Sequence, residues 1–164
     1  MSNASRVPVD ELLLARHLPD FDYADSFTAQ ASGTPAAREW ARLTLAGGSD
    51  AVRNAFGKAV WGGILGFSLA PADAPDTLVG WRIIIDEPSL FVMATDGRLM
   101  EGRMIFVTDG ARVTWTTSVR YHSPRARRIW AVMQHGHRRI APRVLGSAAS
   151  ALARRSALAT EPLR

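Results

Sequence analysis

Four histidines and no cysteine set the limits of the chemistry open to this chain. Disulfides, zinc–thiolate sites, iron–sulfur clusters and thiol nucleophiles are excluded outright. His135 and His137 flank Gly136. A helix turns by about 100° per residue, so positions two apart point in nearly opposite directions and cannot share a metal. The zinc-protease spacing, two histidines four apart with a glutamate between, does not occur. Ser68, Ser118 and Ser123 lack the Gly-x-Ser-x-Gly elbow of serine hydrolases. Gly57–Gly66 has neither the Lys-Ser/Thr ending nor the preceding strand of a phosphate loop. His17 and His122 have no partner in the sequence. These patterns assign no catalytic residue, and neither a metal nor a cofactor is expected.

His137 remains the histidine of interest, because it falls on an apolar helical stripe. Two readings of it stand side by side. In one it is a buried, hydrogen-bonded core residue. In the other it lines a cavity, where it orients a ligand carbonyl or hydroxyl or shuttles a proton. Other polar groups are less specific. Asp86-Glu87-Pro88 reads as a turn, since adjacent strand residues point to opposite faces and cannot share a proton. Glu101 and Arg103 share one face of a strand and can pair with Arg82 or Asp86, either as a surface ladder or as a polar patch inside a cup. Trp81, Phe91, Met93, Met104, Phe106, Trp115, Tyr121, Trp130 and Met133 read as core, and any pocket must be lined by part of this set.

The elements that position these residues follow from periodicity. Phe21–Ala31 alternates with Phe21, Tyr23, Asp25, Phe27 and Ala29 on one face, a strand with one buried side. Asp25 is the exception there, expected at the sheet rim or bonded to a backbone amide. Thr34-Pro35 opens a helix that Gly47-Gly48 closes. Ser49-Asp50 caps a second helix with the stripe Val52, Phe56, Val60, Ile64 and Phe67. Four strands follow: Thr77–Asp86, Leu90–Thr95, Met100–Thr108 and Ala111–Tyr121. The dipeptides Asp96-Gly97 and Asp109-Gly110 mark tight turns, so these strands pair as an antiparallel meander. From Arg125 a long helix carries Ile129, Met133, His137, Ile140, Val144, Ala148 and Leu152 at helical steps, with a kink expected at Pro142. Most of its arginines lie off that stripe.

The 164 residues suit one domain over residues 20–156, after a loose lead-in (1–19) with a short helix capped by Asp10 and before a tail (157–164). The net charge of +5 is divided unevenly: residues 120–164 hold ten arginines and one acid, Glu161. Only Tyr121 and Trp130 supply aromatic rings in that basic third, so nucleic-acid binding is not expected. The longest apolar run, Ala59–Ala70, is twelve residues, against about 20 for a membrane span. With no signal-peptide layout, the expected setting is cytoplasmic.

A curved antiparallel sheet with one apolar face needs a cover, and the Arg125–Leu152 helix is long enough to cross it. Small residues at Ala94, Gly102, Gly136 and Ala141 would leave room between the two. The order of elements, together with Tyr23-Ala24-Asp25-Ser26-Phe27, Tyr121-His122-Ser123-Pro124, Arg128-Ile129-Trp130 and His137-Arg138-Arg139-Ile140, resembles an uncharacterised bacterial branch of the START-like (SRPBCC) superfamily. That branch commonly carries a Pro-Phe-His step where this chain has His135-Gly136-His137, and a second aromatic where it has Ala131. The resemblance implies an α+β helix-grip fold and a cup for a small hydrophobic or aromatic ligand, lipid- or polyketide-like. The residues expected to line it are His137, Tyr121, Trp115, Trp81, Arg103, Met133 and Met104. A cyclase- or dehydratase-type enzyme using the same cup is the alternative, with His137 as acid–base and Arg103 or Tyr121 holding an oxyanion. A third possibility is a module that docks through its basic helix. A homodimer is compatible with all three.

Overall fold

Val113, Trp115, Thr117 and Val119 alternate with Arg112, Thr114, Thr116 and Ser118, and this period of two builds the strand around which the sheet is arranged. The computed structural model describes residues 4–47, 59–71 and 74–160. Its elements are β1 (Ser5–Val7), α1 (Glu11–His17), β2 (Tyr23–Gln30), α2 (Ala37–Ala46), a π-helical turn (Ala59–Ile64), β3 (Thr77–Leu78), β4 (Trp81–Asp86), β5 (Leu90–Thr95), β6 (Met100–Asp109), β7 (Arg112–Tyr121) and α3 (Pro124–Thr160). The strands form one open antiparallel sheet in the order β1-β2-β7-β6-β5-β4-β3. The long helix α3 packs on β2 and α2. This is an α+β architecture consistent with the helix grip.

Register assigns the faces. Asp25 stands opposite Thr117, Thr117 opposite Met104, and Met104 opposite Met93. Phe27, Trp115, Phe106 and Phe91 form the next row. These rows belong to the main core, beneath α2 and α3. On the other side of the sheet Leu14 of α1 packs with Val92 and Ile105 in a smaller core. The sheet is therefore covered on both faces, more fully on one. Asp10 holds α1 in place by accepting the Leu13 N–H at 3.0 Å, the cap expected from sequence.

Several boundaries differ from the sequence reading. Residues 5–17 are an edge strand and a docked helix rather than a loose lead-in. Thr77–Asp86 is two strands, because Val79 (φ 50°) and Gly80 (φ 86°) both adopt left-handed backbone and turn the chain back on itself. This split, together with the edge strand β1, raises the five expected strands to seven. Helix α2 starts at Ala37, with Ala36 rather than Thr34 at its cap position. The second expected helix lies mostly outside the described residues. Its last position, Phe67, is bridged to Gly97 instead of being helical. Gly97 allows this, because a side chain there would run into the carbonyl of Gly66.

Helix α3 has 37 residues and continues through Pro142. Its start is set by Ser123, whose Oγ accepts the Ala126 N–H at 3.2 Å, followed by Pro124 in the first turn. The buried line runs through Ala126, Trp130, Ala141, Leu145, Ala148, Ala149 and Leu152. That line is rotated slightly from the expected stripe, and Ile140 lies on the outside. No helix among the described residues is long and apolar enough to cross a membrane.

Candidate functional site

At the third residue of β2, on the face that joins the main core, a carboxylate occupies an apolar position. Asp25 is 0% exposed. It is neither at the rim nor on a backbone amide, as sequence led us to expect. Its Oδ2 accepts the Tyr23 hydroxyl at 2.5 Å, and its Oδ1 lies 3.2 Å from Nε2 of His137. Tyr23 and Asp25 share a face because they are two apart on a strand, and α3 lowers His137 onto that face. The Tyr23 oxygen also accepts Nε–H of Arg138 at 3.1 Å, which leaves its own proton for Asp25. Burial, followed by this hydrogen bond to Asp25, holds the Tyr23 phenol well above its ordinary range, so it stays a donor. The result is a directed chain from Arg138 through Tyr23 to Asp25, met from the other side by His137.

Aromatic rings surround the histidine. The His137 ring centroid is 5.8 Å from that of Trp115, 5.9 Å from Trp130 and 6.3 Å from Phe27. Trp115 is itself stacked on Phe106 at 5.6 Å. The His137 side chain is 19% exposed, so this enclosure reaches the surface beside it. The indole Nε1 of Trp115 and of Trp130 and the hydroxyl of Thr117 have no hydrogen-bond partner among the described residues, as is true of Trp40, Trp81, Thr44 and Ser118 elsewhere in the fold. An unpaired buried polar atom costs about 1–3 kcal/mol, and native proteins tolerate few of them without water, an ion or a ligand to satisfy them.

The expected residues divide into groups. His137 and Trp115 are in contact. Met104 is on the same sheet face, opposite Thr117, and Met133 is half-buried against the same core. Tyr121 terminates β7 with Arg127 above its ring at 5.7 Å. Trp81 lies in the same main core but away from His137, edge-on to Phe67 and Trp61 and over Gly102. The space expected above Gly102 is thus occupied by Trp81 and Phe67. Arg103 is not brought to the others. It is opposite Ser118 and Ala94 on the reverse face, where it pairs with Glu101 and Asp96 and donates to the His17 carbonyl. Arg103 therefore fastens α1 and cannot hold an oxyanion beside His137. Ala94 goes with it to the reverse face, while Gly136 is exposed on the outside of α3. Asp86 pairs with Arg38 of α2.

Sequence reasoning noticed Asp25 but misplaced it, and it passed over Tyr23 and Arg138 as site residues. The signal was present: a carboxylate two residues from a tyrosine inside an apolar alternation. The reverse face also carries an open groove of about 730 Å³, bordered by Asp10, Thr28, Gln30, Arg112 and Thr114. It is separated from His137 by the sheet. Its lining mixes apolar side chains such as Val7, Leu13 and Val107 with hydroxyl, amide and charged ones, and it holds neither a histidine nor an aromatic ring.

No protein-family model and no curated protein matches this chain. Among solved structures it is similar to protein Ms6760 from Mycobacterium smegmatis. The two share 19% identity, with 79% of this chain and 90% of that one covered, at a TM-score of 0.41.

Proposed function

We propose that the chain binds a small, flat, largely apolar molecule bearing a carbonyl or hydroxyl, held between the sheet and α3 next to His137. The observation that carries this reading is the buried Asp25–His137 pair enclosed by the rings of Trp115, Trp130 and Phe27, with the indole N–H groups beside it. Apolar walls with a few unsatisfied polar groups are what a small-molecule site needs. Indole N–H groups donate only, so they call for an acceptor on the guest. The resemblance of the sequence to the START-like superfamily supports the same reading, because proteins of that kind hold a hydrophobic cup under the terminal helix. Occupation of the Gly102 end by Trp81 and Phe67 favours a compact aromatic guest over a long lipid chain.

The Asp25–His137 pair favours a second reading, acid–base chemistry on that guest. With Nε2–H directed at Asp25, the lone pair of Nδ1 is left to take a proton. An oxyanion would then rest on the indole N–H groups, since Arg103 is out of reach. Native mass spectrometry of protein isolated from the cells that make it tests the binding proposal. A retained species of a few hundred daltons, lost on denaturation, is expected. A spectrum of bare chain alone, from protein whose isolation avoided detergent and solvent, would count against it.

A further inference from the structure

The outer face of α3 is a separate matter, independent of what the interior holds. The helix carries eight arginines and no aspartate or glutamate. Three of the eight are engaged with the rest of the fold: Arg127 with Asp22, Arg138 with Tyr23, and Arg155 with Glu39. The other five, Arg125, Arg128, Arg139, Arg143 and Arg154, are exposed. They make no ion pair among the described residues. Their successive steps are three, eleven, four and eleven residues, each close to a whole number of turns. They therefore form one line about 43 Å long down the outside of the helix. Val132 stands in this line and is 74% exposed, and Ile140 and Leu158, also exposed, run along one flank.

We propose that this ridge lays α3 lengthwise on the surface of a bilayer rich in anionic phospholipid. Guanidinium groups match phosphate geometry with two hydrogen bonds each. A row of cations on one side of a helix can meet a flat anionic surface at several points, on either side of Pro142. Three exposed aliphatic side chains among the cations gain from the apolar boundary of a bilayer and gain nothing from a phosphodiester chain. The ridge carries no aromatic residue for stacking on bases. The inner face of α3 is already buried, so the helix needs no folding on contact, and its ridge adheres without inserting across the membrane.

Co-sedimentation of the full chain with vesicles tests this. Phosphatidylcholine vesicles are compared with vesicles that also contain phosphatidylglycerol. Binding is expected only with the latter, and it should fall steeply as salt rises to about 0.5 M. Replacing Arg128, Arg139 and Arg143 by Gln should weaken it about a hundredfold, at about fivefold for each charge removed. The variant's thermal transition should match the parent's, since all three side chains are exposed. Val132→Gln with Ile140→Gln should weaken binding several-fold and leave its salt sensitivity intact. The proposal is overturned by equal binding to both vesicles, by binding to neither, or by an arginine variant that folds and binds like the parent. Tighter binding to a DNA duplex than to the anionic vesicles would also overturn it, and would make the ridge a nucleic-acid surface.

Discussion

A carboxyl group in the middle of a buried strand persists only because its neighbours satisfy it. Asp25 has a donor on each oxygen, Tyr23 and His137, and removing it orphans both. Asp25→Ala should therefore destabilise the fold by about 3 kcal/mol, read as a lowered urea midpoint at unchanged slope. A loss well under 1 kcal/mol would show that the cluster is not the tight unit described. The tyrosines give a second measurement. The chain has two, and both phenols are raised: Tyr23 by burial and then Asp25, Tyr121 by burial and then the charge of Asp22. The fold prefers the neutral phenol, so this contribution is intact below a pH of about 10 and is lost as pH climbs above it. Of the two phenols, Tyr23 should stay un-ionised through the ordinary tyrosine range and form phenolate only with alkaline unfolding. A reversible titration of both tyrosines centred at about 10 in folded protein would contradict the burial of the Tyr23 ring. Asp25 was visible in the sequence as an anomaly. Its pairing with His137 was not, because the histidine lies 112 positions away and only the docking of α3 brings the two together.

At the level of elements, strong periodicity was legible and local backbone geometry was not. The alternation in Arg112–Tyr121 and the Asp109-Gly110 turn gave the β6–β7 hairpin directly. Thr77–Asp86 alternates just as cleanly, yet it breaks at Val79, a β-branched residue in left-handed backbone that no propensity would place there. Helix α3 was legible at its start but runs eight residues past Leu152, to Thr160, and its buried line was misjudged because apolar and basic side chains occur on both sides of it. Ile140 faces out and Arg138 faces in, its guanidinium 5.3 Å above the Tyr23 ring. The crossing of Phe67 past Gly97 was invisible, since a bridge between distant segments leaves no periodic trace. It makes a clear demand on one residue. Gly97→Ala should cost about 1–3 kcal/mol, because the new carbon falls on the Gly66 carbonyl and backbone must shift. A thermal midpoint equal to the parent's would show that the two segments are not in contact.

Over the whole molecule, the two faces of the sheet have different duties. On the reverse face Arg103 and Arg120 meet Glu101 and reach the carbonyls of His17 and Pro19, which ties α1 and the chain after it to the sheet. On the other face the rings and the α3 helix enclose the Asp25–His137 pair. That asymmetry follows from strand parity. Residues 101 and 103 fall on one side of β6 and residues 102 and 104 on the other, and β6 could be assigned only once its partners were known. The enclosure is the part of the molecule on which the binding proposal rests, and a matched pair of guests interrogates it. Naphthalene and 2-naphthol differ by one hydroxyl that can accept from an indole N–H and donate to His137. Titrated against tryptophan fluorescence, 2-naphthol should bind about tenfold more tightly than naphthalene, the worth of one or two buried hydrogen bonds, and His137→Leu should abolish most of that difference. Equal affinity for the two compounds, or no saturable quenching by either, would contradict a polar-anchored aromatic site beneath the terminal helix.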